Sequence, residues 1–178
     1  MSQKKNYIFK GLHAVAWVIF VGLCIEAGAL LVNFVFSFYK PEFVGNLYQK
    51  LDLSNIYNHS KSAFFSMYSL ILAISILKAY LFYVVIMLIT KLDLAKPFSS
   101  YVAGQITKIS YYTLSVGLIS YIARETAKNL QNHGFETENL NQFWADSQAY
   151  ILMAAVIYVI ATIFTKGVEI QNENDLTV

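Results

Sequence analysis

The chain alternates long apolar runs with short polar connections, and the runs have the length of membrane-spanning helices. Crossing a hydrocarbon core of about 30 Å takes about 20 residues of α-helix. The runs that approach this length are residues 12–38, 63–89, 102–123 and 150–164. The third run is the most polar and the fourth is the shortest. Because backbone groups in lipid must be hydrogen-bonded within their own segment, each run predicts a helix.

The polar connections predict where these helices end. Pro97 lies between the second and third runs, and a proline disfavours helical backbone in the residue before it. Gly134 stands where a glycine ends a helix, which predicts a third helix that projects beyond the membrane. Gly167 occupies the same kind of position after the fourth run. Residues 43–51 and 138–147 are amphipathic and predict short helices at the membrane surface.

Composition supports a membrane protein and excludes several other classes. Hydrophobic residues make up 57% of the 178 positions and charged residues only 13%, and a small soluble domain has too much surface to hide so much apolar side chain. A single cysteine excludes an internal disulfide and a cysteine-based zinc site. The net charge of +2 does not indicate a nucleic-acid binder. Without a catalytic motif or a metal-ligand spacing, we expect neither an enzyme nor a cofactor.

Lysine and arginine residues predict the orientation, because cytoplasmic segments carry more of them than external segments do. Four crossings put the N-terminus, the middle connection and the C-terminus on one side. The lysines on that side are Lys4, Lys5, Lys10, Lys91, Lys96, Lys108 and Lys166. The other side is richer in acidic residues. We therefore predict one all-α domain, residues 1–178, folded as a four-helix transmembrane bundle with both termini in the cytoplasm.

Two charged residues inside the apolar runs are the most specific polar signal. Glu26 lies 14 residues after Leu12, and Lys78 lies 11 residues before Ile89, which puts them ~21 Å and ~17 Å into the membrane at ~1.5 Å per residue. In an antiparallel hairpin the two charges come within one helical turn of each other. An unpaired charge in lipid is costly, so we expect an intramembrane ion pair. The pair either fixes the packing of the hairpin or works as a proton- or ligand-linked switch; the alternatives are a Lys78 that reaches the surface alone and a protonated Glu26.

The third run also contains polar side chains that a lipid-facing helix would not tolerate. They include Gln105, Lys108, Tyr112 and Ser115. Hydrogen bonding between helices explains them, and a wet cavity that carries a solute is the alternative. We expect these four residues to face the interior of the bundle.

The residues after the fourth run form a short acidic tail with an apolar end. The chain closes with Glu-Asn-Asp-Leu-Thr-Val at residues 173–178 and has Lys-Gly-Val-Glu-Ile-Gln at 166–171. Together with the Pro97-Phe98 pair, these segments resemble a family of short four-span prokaryotic membrane proteins of unknown function. The resemblance extends over nearly the whole chain.

The resemblance implies a partner more than a chemistry. Members of the family are often encoded next to a very small helix-turn-helix DNA-binding protein. This implies a regulator in the bacterial inner membrane, surrounded by lipid, that captures or releases a transcription factor and does not itself bind nucleic acid. Its docking residues would lie in the tail, where acidic side chains compete with DNA for a basic surface. The candidates are Glu169, Glu173, Asp175, Leu176, Thr177 and Val178.

A small ion- or solute-coupled transporter that uses Glu26 and Lys78 is the alternative function. Four spans are few for a carrier unless several copies assemble around a shared path. A homo-oligomer is therefore a further expected partner. Liposome flux that depends on Glu26 would favour the carrier, and a soluble cytoplasmic partner would favour the regulator.

Overall fold

The structure is a computed structural model that describes residues 3–48, 51–93 and 97–175. Its long α-helices are α1 (Gln3–Tyr39), α3 (Lys61–Lys91), α4 (Ser100–Asn132) and α5 (Ser147–Asp175), and a short helix, α2 (Ser54–His59), precedes α3. Single 3-10 turns occupy Pro41–Gly45 and Glu138–Phe143. Within these ranges no strand is present, so the predicted all-α class is confirmed. The two predicted surface helices, 43–51 and 138–147, are 3-10 turns over only part of their length.

Local side-chain and backbone features mark several helix ends, and the one at Gly134 was predicted from the sequence. The hydroxyl groups of Ser60 and Ser99 accept hydrogen bonds from the first turns of α3 and α4, each at 3.3 Å, as N-capping serines do. Gly134 follows the end of α4 with φ +87°, a left-handed conformation that glycine adopts without strain. The predicted extension of α4 beyond its apolar run is therefore confirmed.

The predicted helix end at Gly167 is wrong. The last long helix continues through this residue to Asp175, so most of the acidic tail extends the helix. A β-carbon at Gly167 would lie 2.5 Å from Cδ1 of Phe98. Glycine here lets the Phe98 ring lie against the helix backbone, since a β-carbon would force the ring to shift, and the helix does not terminate at this residue.

Three helical segments have the length and apolar composition to cross a membrane. They are Tyr7–Tyr39, Lys61–Lys91 and Glu138–Asn174. Helix α4 is as long as these segments, but its polar residues keep it outside that group. The described residues thus provide three candidate spans where the sequence predicts four, and a fourth crossing depends on how α4 packs.

The long helices pack in the order in which they occur in the chain. Helix α1 lies along α3, α3 lies along α4, and α4 makes its most extensive contact with α5. Gly117 lets α5 approach closely, since a β-carbon there would lie 3.0 Å from the backbone nitrogen of Ile151. Among the described residues the extensive contacts connect successive long helices only. The helices therefore pack in a row, with α3 and α5 parallel and both against α4, and these contacts do not support the predicted four-helix bundle.

The largest buried core lies at the end of the helices opposite the two chain termini. We call this region the cap; it consists of residues 40–48, 51–60 and 133–146 and the helix ends that they contact. Phe64, Tyr68 and Trp144 are fully buried in it, and the Tyr68 hydroxyl donates a hydrogen bond of 3.1 Å to the carbonyl of Leu30. Leu30, Phe64 and Tyr68 also belong to two of the candidate spans. The cap thus joins the connections and the adjoining ends of apolar helices in one core.

Candidate functional site

The connection between α3 and α4 packs onto the far end of α5. The ring of Phe98 lies 5.3 Å from the ring of Phe164, measured between centroids, and rests on Gly167. Two of the segments that carry the family resemblance, Pro97-Phe98 and Lys166–Gln171, therefore meet in space. We call the surface formed by Phe98, Phe164 and residues 166–175 the terminal face.

Charged side chains surround the apolar contact of the terminal face. Lys166 Nζ lies 2.6 Å from Glu169 Oε2, one helical turn further along α5, and Lys91 Nζ lies 4.8 Å from the centroid of the Tyr101 ring. Glu173 is exposed on the same part of the helix. Asp175 is the last residue of α5, and the predicted docking residues Leu176, Thr177 and Val178 lie outside the described residues.

The structure brings Glu26 and Lys78 to a similar depth but does not pair them. Contacts of Tyr68 with Leu30 and of Thr90 with His13 define the antiparallel register of α1 and α3. Lys78, however, lies about 120° around α3 from the stripe that contacts α1, at 100° per residue. Its Nζ atom lies instead 5.8 Å from the centroid of the Tyr150 ring on α5. The expected ion pair is absent from the described residues because the sequence predicts depth but not the rotation of a helix.

A double-mutant cycle tests this separation. We expect Glu26→Gln and Lys78→Gln to change the free energy of unfolding independently, with a coupling energy below about 0.5 kcal/mol, as for residues that do not touch. The measurement is denaturant titration of the wild type, both single variants and the double variant in one detergent. A coupling energy above about 1 kcal/mol would show that the two side chains are paired.

The polar residues of α4 share one face of the helix, but this face points away from α5. The four predicted residues lie within about 80° of one another around α4: Gln105, Lys108, Tyr112 and Ser115. The Tyr112 ring packs 4.8 Å from the Tyr80 ring of α3, between centroids, and the Ser115 hydroxyl donates to the Tyr111 carbonyl at 2.9 Å. Lys108 is exposed. The four residues thus share one face, but this face does not point towards α5 and Lys108 is exposed, unlike the interior lining that the sequence predicts.

A groove between α3 and α5, with α4 as its floor, is a feature that sequence reasoning missed. Its volume is about 450 Å³, and one end carries Asp146 and Tyr150. The apolar part of its lining includes Leu81, Phe82, Val85, Ile109, Met153 and Ile157. The Lys78 ammonium lies beside Tyr150 at the polar end. The only signal in the sequence was that Lys78 shares a helical stripe with apolar residues at i+3, i+4 and i+7.

Two carboxylates of the cap, Asp52 and Glu125, have structural partners. The backbone N–H of Ser54 donates to Asp52 Oδ1 at 2.9 Å, and hydrogen bonds from the Ser54 side chain and backbone hold the pKa of the Asp52 carboxyl below its usual value. Lys128 Nζ lies 3.0 Å from Glu125 Oε1. Its hydrogen bond likewise holds the pKa of the Glu125 carboxyl below its usual value. The first contact lies at the start of α2, and the second joins neighbouring turns of α4. In the part of the chain that the structure describes, no group of three or more His, Cys, Asp or Glu side chains could hold a metal ion.

The family with the description "Protein of unknown function (DUF2975)" matches residues 46–178. The chain belongs to this family. The match begins after α1, so the terminal face and the groove lie within the DUF2975 part of the chain, whereas Glu26 lies outside it. Comparison with curated proteins and with solved structures yields no match.

Proposed function

We propose that this DUF2975 protein is a membrane-embedded regulator that binds a small basic cytoplasmic protein through its terminal face. The observation that carries the proposal is the contact between Phe98 and Gly167. This contact joins the connection after α3 to a helix that continues beyond its apolar part. The tail up to Asp175 is therefore a helix packed against Phe98, and a preformed surface binds with a smaller loss of conformational entropy than an unstructured segment.

Helix α4 crosses the membrane together with its neighbours in this proposal, which gives four spans with both termini in the cytoplasm of a bacterial inner membrane. The support is its position between α3 and α5, both of which are candidate spans. The hydroxyl groups of Thr107 and Thr113 donate to the backbone carbonyls four residues earlier, and that of Ser110 donates to the carbonyl of Ala154 at 2.9 Å. Polar residues satisfied in this way are tolerated in lipid. The lysine-rich side then carries the terminal face.

The proposed partner is the small helix-turn-helix protein that the family resemblance implies. The last part of α5 carries Glu169, Glu173 and Asp175 against the single cation Lys166, so it is acidic. A DNA-binding surface is basic, and an acidic face competes with DNA for it. Capture at the membrane would keep such a protein from its operator.

Charge reversal tests the proposal without shortening the helix. We expect Glu169→Lys with Glu173→Lys to abolish co-purification of a small DNA-binding protein from the native membrane and to change the output of a reporter controlled by that protein. The matched control is Glu136→Lys with Glu138→Lys, two exposed acids in the cap at the opposite end. Equal recovery of the partner with both double variants, or an unchanged reporter, would refute docking at the terminal face.

A further inference from the structure

We propose that the groove between α3 and α5 binds one phospholipid from the leaflet on the cap side. One acyl chain lies in the apolar part of the groove, and a headgroup with both a phosphate and a primary amine lies between Lys78 and Asp146. This is the chemistry of phosphatidylethanolamine. The proposal depends on α3 and α5 crossing the membrane, but not on a partner at the terminal face.

The length of the groove matches a single leaflet. From Asp146 at one end to Ile157 at the other, α5 rises by ~16 Å, and half of a hydrocarbon core measures about 15 Å. Leu81, Phe82 and Val85 line the facing side. An acyl chain that moves from the bilayer into the groove exchanges one apolar environment for another. No polar group of the protein becomes exposed in the exchange.

The polar end of the groove offers one cation and one anion. Lys78 Nζ lies 5.8 Å from the centroid of the Tyr150 ring and, within the described ranges, forms no ion pair. Its ammonium can therefore donate charge-assisted hydrogen bonds to a phosphate. The exposed Asp146 carboxylate lies one helical turn before Tyr150 and is placed to accept from an amine. A headgroup that carries both charges complements both residues, whereas a purely anionic headgroup meets the repulsion of Asp146.

The position of Lys78 within α3 calls for a counter-charge. Lys78 lies 17 residues after Lys61 and 13 before Lys91, inside a candidate span, and a charge there is costly unless it is compensated. Its ammonium lies beside Tyr150, at the start of the apolar run of α5, and a headgroup phosphate held at that end of the groove would supply the compensating charge. A lysine with a headgroup as its counter-ion needs no carboxylate on α1.

Native mass spectrometry of the full chain, released from nanodiscs, tests the proposal. The nanodiscs contain equal amounts of phosphatidylethanolamine and phosphatidylglycerol with identical acyl chains. We expect one retained lipid per chain, mostly phosphatidylethanolamine. Lys78→Gln should reduce retention of both lipids about tenfold, since it removes the charge-assisted bonds to phosphate. Asp146→Asn should remove the preference between the lipids, and Ala149→Trp should block the groove.

The matched control is Lys61→Gln on the same helix. Lys61 Nζ also lies over a tyrosine ring, 5.6 Å from the centroid of Tyr57, but outside the groove, so this variant should retain lipid like the wild type. Circular dichroism of each variant shows whether it is folded, and a misfolded Ala149→Trp is replaced by Ala149→Leu. Equal retention by Lys78→Gln and Lys61→Gln, or no preference between the lipids in the wild type, would overturn the proposal. So would a chain dimer in place of the lipid adduct.

Discussion

Replacing Gly117 with alanine is expected to lower the free energy of unfolding by about 2 kcal/mol, because extra atoms in a tightly packed interface force the backbone to move. The added β-carbon would lie 2.8 Å from Ile151 Cγ1, 3.0 Å from Ile151 N and 3.2 Å from the Ser147 carbonyl oxygen. Two of these atoms belong to the backbone of α5, so a rotamer change cannot relieve the clash. The measurement is denaturant titration in detergent micelles.

Gly104→Ala is the matched control for this prediction. Gly104 lies in the same helix, and a β-carbon there would meet nothing within 4 Å. Alanine favours a helix over glycine by up to about 1 kcal/mol, so we expect this variant to be as stable as the wild type or more stable. If both substitutions had the same effect, the close approach of α4 and α5 would not contribute to stability.

Replacing Trp144 with alanine is expected to cost about 3–5 kcal/mol, which is the range for a large aromatic residue removed from a core. Trp144 is 2% exposed and belongs to the core of the cap. Its loss leaves a cavity where the connection before α5 contacts the ends of the other helices. Thermal unfolding followed by circular dichroism measures the change.

The same substitution at the other tryptophan provides the control. Trp17 is 46% exposed on α1 and hydrogen-bonds only to His13, one turn earlier, at 3.0 Å among the contacts described. We expect Trp17→Ala to change the midpoint temperature far less. A larger loss from Trp17→Ala than from Trp144→Ala would mean that stability resides in the membrane helices and not in the cap.

These two substitutions probe different driving forces in one chain. In the cap a large side chain fills space between several elements, so its removal leaves a cavity that the surrounding core closes only in part. Between α4 and α5 the association depends on close approach, as expected where lipid is the alternative neighbour. The terminal face and the groove lie on the helices that this interface holds together, so the Gly117 variant should also weaken both proposed binding sites.

Local features of the sequence determined the secondary structure. The length of the apolar runs predicted the long helices, and Ser60, Ser99 and Gly134 lie at helix boundaries where side chains and backbone conformation act within a few residues. The predicted relationship to a family of unknown function is confirmed. Gly167 was the exception among these local signals. A glycine is found both at helix ends and where another group approaches the backbone closely, and the sequence does not show which of the two applies.

The tertiary structure alone decided which side chains meet. Depth along a helix follows from counting residues, and Glu26 and Lys78 are indeed at similar depths. Which neighbour a residue faces depends on the rotation and order of the packed helices, and these result from contacts far apart in sequence. For this reason Lys78 faces Tyr150 and not Glu26, Phe98 lies on Gly167, and a groove between two parallel helices was invisible in the sequence of either one.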